Sequence, residues 1–311
     1  MKGLLVALAG GVGGAKLAWG LAQVLPPEKL VIVVNTGDDA VFHGLHVSPD
    51  LDTVMYTLAG IVNPEAGWGV ADDTTAALGM LGRYGAPTWF RLGDRDLACH
   101  IRRTELLGQG WTLSQATREL CLALGVQHSI VPMSDDSVRT TILAEEGELP
   151  FQVYFVERRC EPPVREVLYV GAEKARPSPL FEAALNEAGA LVFCPSNPYL
   201  SIDPILSLDR VRQRIAGLTV PRLAVSPIVG GEALKGPLAK MMLELGEKPS
   251  STNIARHYEG LCDIFIIDDV DREEAEEILA LGMPVEAMPI VMRSPEDKME
   301  LARRVCALAG Y

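Results

Sequence analysis

The first 34 residues constrain this chain most. Residues 2–8 form a short apolar run that ends in glycines. A helical pattern follows over residues 14–24 and stops at Pro26 and Pro27, and residues 30–34 (LVIVV) are a second continuous apolar run. Strand, glycine turn, helix and strand in that order make a βαβ unit, which predicts a parallel sheet covered on both faces. One Lys followed by apolar residues also has the outline of a short signal peptide. The glycine punctuation and the continuing helical pattern assign the stretch to the first strand of the fold instead.

Further apolar runs at 190–194, 222–226 and 263–268 each lie near a helical segment. They extend the prediction to a Rossmann-like α/β core, mainly parallel, with helices on both faces. Residues 69–125 read as mostly helical. In residues 139–156 (RTTILAEEGELPFQVYFV), two β-rich runs flank a polar turn, which predicts a hairpin. We expect one α/β domain over residues 1–311 with an insertion at roughly 69–160. The Pro, Arg and Glu cluster at 158–178 is the best alternative boundary. There is no internal repeat and no low-complexity segment.

Composition narrows the function classes. The formal charge is −13, from 28 basic and 41 acidic residues, which disfavours nucleic acid and anionic membranes as partners. No apolar run is long enough to suggest a transmembrane helix. The six cysteines are scattered without a C-x-x-C pair. That pattern reads as reduced core residues of a cytoplasmic protein, and it disfavours zinc.

Residues 35–57 carry the strongest chemical signal. Asp38, Asp39, Asp50 and Asp52 lie between the second strand and an amphipathic helix. Carboxylates grouped in this way can hold a hard divalent cation against an anionic substrate. Asp38 and Asp39 directly follow a strand, where α/β sheets collect ligands; a solvated turn is the plain alternative. In Ser48-Pro49-Asp50-Leu51-Asp52, Ser48 has the chemistry of an N-cap and Pro49 that of the first helical position. Asp50 is explained as a partner of the helix dipole, so Asp52 is the preferred functional carboxylate. Leu51, Val54, Met55 and Leu58 keep helical spacing and form a core face.

Gly10-Gly11-Val12-Gly13-Gly14-Ala15-Lys16 offers backbone N–H groups at a helix start, suited to a phosphate, or a tight turn with no ligand. Leu17 follows Lys16 where a Walker A loop needs Ser or Thr. Lys16 also fills the third glycine position of a dinucleotide fingerprint, which disfavours NAD. Arg91-Leu92-Gly93-Asp94-Arg95-Asp96 is either a fork for a phosphate or heterocycle edge, or a charge-paired helix start. His43, His46 and His100 are candidate bases without an assignable partner. Met133-Ser134-Asp135-Asp136, Pro195-Ser196-Asn197-Pro198 and Ser226-Pro227-Ile228-Val229-Gly230-Gly231, with Lys235 and Lys240 beyond, follow further apolar runs. Each is weak alone; together they suggest one shared crevice.

Taken in order, GGVGGAKLAWGL, NTGDD, HGLHVSPDLDTVMYTL, WGVADDT, LGDRDLACHI, MSDDSVRT, PSNPYLSIDPIL and SPIVGG resemble the CofD-like family, the 2-phospho-L-lactate transferases of coenzyme F-420 biosynthesis. The combination of SPDLDT, LGDRD and PSNP carries the resemblance. The glycine loop alone is shared with a group of nucleotide-sugar-binding regulators. The resemblance implies a Rossmann-like core and a homodimer. It also implies transfer from a guanosine diphosphate-activated phospho-acid to the ribityl hydroxyl of the deazaflavin Fo, with release of GMP. It implies that Asp52 and Arg91 contact Fo, that Asp38 ligates magnesium, and that Ser196 and Asn197 lie on the guanosine side. The mechanism we expect is magnesium-assisted, with Mg2+ held by Asp38 and Asp52 and a phosphate steadied by Gly11, Gly13 and Gly14. A regulatory binding module and an NAD-dependent oxidoreductase are the alternatives. No motif selects the three-carbon acid.

Overall fold

A computed structural model describes residues 3–311. Lys2, where the first expected apolar run begins, lies outside the described residues.

The chain opens as β1 (Leu4–Ala9), α1 (Gly11–Val24) and β2 (Leu30–Val34), so the expected βαβ unit forms. The short strands β3 (Ala40–Phe42) and β4 (Leu45–Val47) then pair and lead into α2 (Pro49–Leu58). Three helices follow, α3 (Ala76–Arg83), α4 (Asp94–Gly108) and α5 (Leu113–Ala123), before β5 (Ser129–Pro132). Next come β6 (Arg139–Ala144), β7 (Gly147–Pro150), β8 (Val164–Val170), α6 (Pro179–Asn186), β9 (Ala188–Phe193), α7 (Asp203–Leu206) and α8 (Val211–Ala216). The chain closes with β10 (Arg222–Val225), β11 (Ile228–Val229), β12 (Glu232–Ala233), α9 (Leu238–Glu244), α10 (Ser251–His257), β13 (Ile264–Ile267), α11 (Ala275–Ala280), β14 (Val285–Ala287) and α12 (Pro295–Leu308).

Seven of these strands form one sheet in the order β14-β13-β10-β9-β1-β2-β5, with every neighbouring pair parallel. This is the expected Rossmann-like arrangement. Successive side chains of a strand point to opposite faces. Accordingly Leu5, Ala7 and Ala9 join Ile32, Val34 and Val192 in one core, while Val6 and Leu8 join Val33, Phe193 and Phe265 in the other. Both sets are fully buried, which is why the strands read as continuous apolar runs rather than alternating ones.

The topology fixes where a ligand can sit. From β1 the chain proceeds one way through β2 to β5, and later returns on the other flank through β9, β10, β13 and β14. The reversal lies between β1 and β9, and a crevice opens beyond the carboxyl ends of strands at such a point.

The expected hairpin at 139–156 is corrected in its second half. β6 pairs with β7 and, on its other side, with β8, so the 158–178 stretch contributes a strand to a small antiparallel sheet. Residues 151–157 are helical. Phe151 and Phe155 stack at 5.3 Å, Tyr154 is fully buried, and Gln152 Nε2 donates to the Asp38 carbonyl at 2.9 Å. These tertiary contacts need helical spacing, and they override the β propensity of the segment.

Candidate active site

A cavity of about 670 Å³ lies at the reversal point. Gly10–Gly13 and Lys16 after β1, Asp38 after β2, Asp50, Asp52 and Tyr56 of α2, and Pro195–Asn197 after β9 all line it. Residues from the β10–β13 region, Ser226 and Lys235 among them, complete the wall. The strand-end motifs that were weak individually therefore do share one crevice. Lys240, which pairs with Glu244, lies outside it, and so does Met133–Asp136. Ser134 bonds the Arg176 carbonyl, Asp135 accepts from Ser114 N–H and Asp136 from Arg176 N–H, so the segment organises a turn outside the cavity.

The glycine loop owes its glycines largely to close packing. A Cβ on Gly10 would lie 2.3 Å from Asp50 Oδ2, one on Gly13 2.3 Å from the Pro195 carbonyl oxygen, and one on Gly14 2.4 Å from Ser196 Oγ. α1 thus starts in direct contact with the α2 and β9 motifs. Gly11 N–H donates to Asp50 Oδ1 at 2.7 Å, placing a carboxylate at the positive end of α1. Gly11 and Gly13 line the cavity, whereas Gly14 packs behind it. Ser196 Oγ accepts from Gly10 N–H at 3.1 Å and donates to the Gly10 carbonyl at 2.8 Å. Asn197 Oδ1 accepts from Tyr199 and Leu200 N–H, capping the helical turn that follows.

Asp38 and Asp50 form one buried carboxylate pair. Asn35 Nδ2 donates to both, at 3.2 Å to Asp38 Oδ1 and 3.0 Å to Asp50 Oδ2. Asp50 N–H donates to Asp38 Oδ2 at 3.1 Å, and Ser201 Oγ donates to Asp50 Oδ2 at 3.2 Å. All these donors are neutral. Burial, with Asp50 and Asp39 alongside, holds Asp38 well above the usual carboxylate range, and burial pushes Asp50 up to about 6. Asp39 turns away from the pair and accepts from Ser48 Oγ at 2.9 Å, with His46 Nε2 at the same distance. Ser48 therefore occupies the N-cap position without capping through its hydroxyl; the Asp38 carboxylate takes the α2 N–H instead.

Asp52 has different company. The Arg103 guanidinium, 1% exposed, grips both of its oxygens, with Nη1 3.0 Å from Oδ2 and Nη2 closer still to Oδ1. His100 Nδ1 is 3.6 Å from Asp52 Oδ2, and His100 Nε2 is 3.3 Å from Asp96 Oδ1. Tyr56 donates to Asp96 Oδ1 at 2.7 Å. Asp52, Asp96 and His100 each offer a ligand atom within 4.8 Å of the others, the geometry of a candidate cation site. Asp38 and Asp52, the expected ligand pair, both line the cavity, but only Asp52 has a cationic partner.

Arg91 is exposed at the cavity rim beside Phe90, which stacks on Phe42 at 3.9 Å. The rest of its motif is a helix start held by caps rather than by charge pairs, with Arg95 Nη1 donating to the Ala71 carbonyl. Asp94 accepts from Ala76 and Ala77 N–H and caps α3, while Asp73 accepts from Arg95 and Asp96 N–H and caps α4. Asn35, Ser201, Gln152 and Arg103 were not singled out from sequence. For Arg103 a signal existed, because Asp96, Cys99, His100 and Arg103 keep one helical face of α4. Four of the six cysteines are buried and all six are free, as reduced core residues should be.

This is the sheet order and crevice of a Rossmann-like ligand-binding protein. Solved structures of protein BH3568 from Bacillus halodurans, one described as a member of the upf0052 family, share the fold. The TM-score is 0.64 at 14% identity, over 98% of this chain and 99% of that one. The model of the family "2-phospho-L-lactate transferase CofD" matches residues 5–287. Proteins named phosphoenolpyruvate transferase match along nearly their whole length. That of Streptomyces griseus is 42% identical over 98% of each chain, that of Thermobifida fusca 39% over 98% of this chain and 95% of its own, and that of Mycobacterium tuberculosis 37% over 97% and 98%. The chain belongs to the CofD family. It is a transferase of coenzyme F-420 biosynthesis, and the regulatory reading is not favoured.

Proposed function

We propose that the chain transfers phosphoenolpyruvate from its guanosine diphosphate-activated form to the ribityl hydroxyl of Fo, releasing GMP. The supporting observation is one cavity that carries both kinds of charge. Asp38, Asp50, Asp52 and Asp96 line it together with Lys16, Lys235 and the glycine loop, where Gly11 N–H meets Asp50. A polyhydroxyl acceptor on a flat ring and a diphosphate donor ask for both. Arg91, Trp68 and Phe90 offer planar surfaces at the rim for the deazaflavin.

The buried carboxylates fit Mg2+. Asp38 and Asp50 are buried together, and their side chains accept only from neutral donors. Two adjacent buried carboxylates without a cation are costly, and an oxygen-seeking divalent ion would relieve them. We assign the metal to Asp38 and Asp50 rather than to Asp38 and Asp52. When bound it would supply charge neutralisation at the diphosphate.

Asp52 is assigned to the acceptor. Arg103 uses part of the lone-pair capacity of each oxygen and leaves the rest to accept from the Fo ribityl hydroxyls. The attacking hydroxyl oxygen bonds to the phosphorus that bears the acid. The bond from that phosphorus to the bridging oxygen breaks, GMP departs with that oxygen, and the hydroxyl proton passes to the Asp52 carboxylate. Gly11 and Gly13 border the nucleotide side, and Gly14, Ser196 and Asn197 hold its wall in place. Alignment and charge neutralisation carry the rate, with no covalent nucleophile.

A homodimer and a cytoplasmic location complete the proposal. The exposed apolar side chains of Val41, Met80 and Tyr84 support the first and the free cysteines the second. Among the described residues no helix is long and apolar enough to cross a membrane. The test combines protein, Fo and Mg2+ with guanylylated phosphoenolpyruvate, 2-phospholactate and 3-phosphoglycerate in competition. GMP release and the mass of dehydro-F-420-0 are expected. Absence of GMP with every donor would overturn the transfer, and a different product mass would reassign the acid.

A further inference from the structure

We propose that Lys16 and Lys235 form a clamp for the phosphate of the departing nucleoside monophosphate. The inference deepens the proposed function and rests on it. Lys16 projects from the second turn of α1, half-buried, and Lys235 comes from the loop after β12; both line the cavity beside Gly11–Gly13.

Their present partners are weak. Lys16 Nζ donates to the Met292 carbonyl at 2.9 Å, and Lys235 Nζ to the Ala66 carbonyl at 2.6 Å. Among the described residues neither belongs to an ion pair, although the chain has 41 acidic residues against 28 basic ones. The two least exposed arginines have carboxylates, Arg103 with Asp52 and Arg222 with Asp263, whereas half-buried Lys298 has, among the described residues, only the Trp19 ring. Two like charges beside one another without a counter-ion disfavour the empty site and favour an anion. Burial, then Lys235 and Lys298, lowers the Lys16 ammonium, as expected for a cation short of compensation.

Two further features point at a phosphate. The N–H groups of Val12 and Gly13 lie in the first turn of α1, have no intrahelical acceptor and belong to residues that line the cavity, while the Gly11 N–H ahead of them is taken by Asp50. The two loops that bring Lys235 here also meet over the helix start: a Cβ on Gly67 would lie 2.6 Å from Val12 Cγ1 and 3.3 Å from Lys235 Nζ. The Lys235–Ala66 bond thus bridges the cavity mouth above the glycine loop. Exchanging that carbonyl for a phosphate oxygen converts a neutral hydrogen bond into a charge-assisted one. A clamp here holds the leaving phosphate while Asp52 holds the acceptor.

The test measures GMP affinity by calorimetry and Fo affinity by fluorescence, in the native protein and in the Lys16→Met, Lys235→Met and Lys235→Arg variants. Lys235 is exposed, so its replacement leaves the fold intact. GMP binding should weaken about ten- to hundredfold in each Met variant and largely recover in Lys235→Arg. Fo affinity should stay unchanged in all of them. Equal GMP affinity in the native protein and both Met variants would overturn the clamp. A native protein that binds Fo but no GMP would overturn it as well. Failure of the native protein to bind either ligand would instead sink the proposed function and the clamp with it.

Discussion

The two carboxylate groups on α2 make an instructive contrast. Asp50 and Asp52 are both buried, two residues apart, in the same first helical turn. Asp52 meets a buried guanidinium, and Asp50 meets a second carboxylate, an asparagine, a serine and a backbone N–H. The first arrangement already has its counter-charge. A buried ion pair with two-point geometry holds a side chain in one orientation, and removing either partner leaves an uncompensated charge. The second has no cation among its partners. Under the proposed function, the first pair would orient the acceptor and the second would recruit Mg2+.

Substitutions on the two sides should break this contrast in opposite ways. Arg103→Met has the largest expected effect on stability, a loss of about 3–5 kcal/mol in denaturant unfolding, because Asp52 remains buried and charged. Adding Asp52→Asn should restore part of it. On the other side, Asp38→Asn and Asp50→Asn should each lower turnover by about a hundredfold or more while the protein stays folded, as circular dichroism and steady-state kinetics would register. Unchanged turnover in both would remove the pair from the site.

A pH series without metal sharpens the contrast. The Asp50 carboxyl titrates at about 6 in the folded chain, against 3.8 ordinarily, so the folded state binds more protons between those values. Its contribution to stability is therefore present below about 4 and is lost as pH rises through about 6. In EDTA, Asp50→Asn should gain stability relative to the native protein across that window, measured by melting at each pH. A difference that shrinks with rising pH would contradict the assignment. The smallest effect is expected at Ser48→Ala, about 1 kcal/mol in unfolding, because the hydroxyl supports Asp39 rather than capping α2.

Much of this was legible in the residues, though unevenly. The βαβ opening and the central strands were readable because strands buried on both faces are continuous apolar runs. The 69–125 segment reads as helical, and α3, α4 and α5 form there. The edge strand β14 (Val285–Ala287) is too short to announce itself, and FQVYFV carries strand-like residues in a helical turn set by Gln152 and Tyr154. Within the site, the cavity-lining segments were visible as strand-end motifs, but the division of labour between Asp50 and Asp52 was not. Local helix-start chemistry explains Asp50 as a partner of the α2 dipole; spacing alone does not reveal that its carboxylate meets Gly11 N–H at the start of α1, or that Asp38 lies beside it. Likewise the Arg103 that neutralises Asp52 is 51 positions away and becomes a partner only when α4 packs on β4 and α5.

The most direct measurement is Mg2+ binding by calorimetry in the native protein, in Asp50→Asn and in Asp96→Asn, with and without the guanosine diphosphate-linked donor. A cation held by Asp38 and Asp50 predicts that binding is lost in Asp50→Asn and retained in Asp96→Asn. Retention in Asp50→Asn with loss in Asp96→Asn would put the ion among Asp52, Asp96 and His100, and would contradict the division of roles along α2.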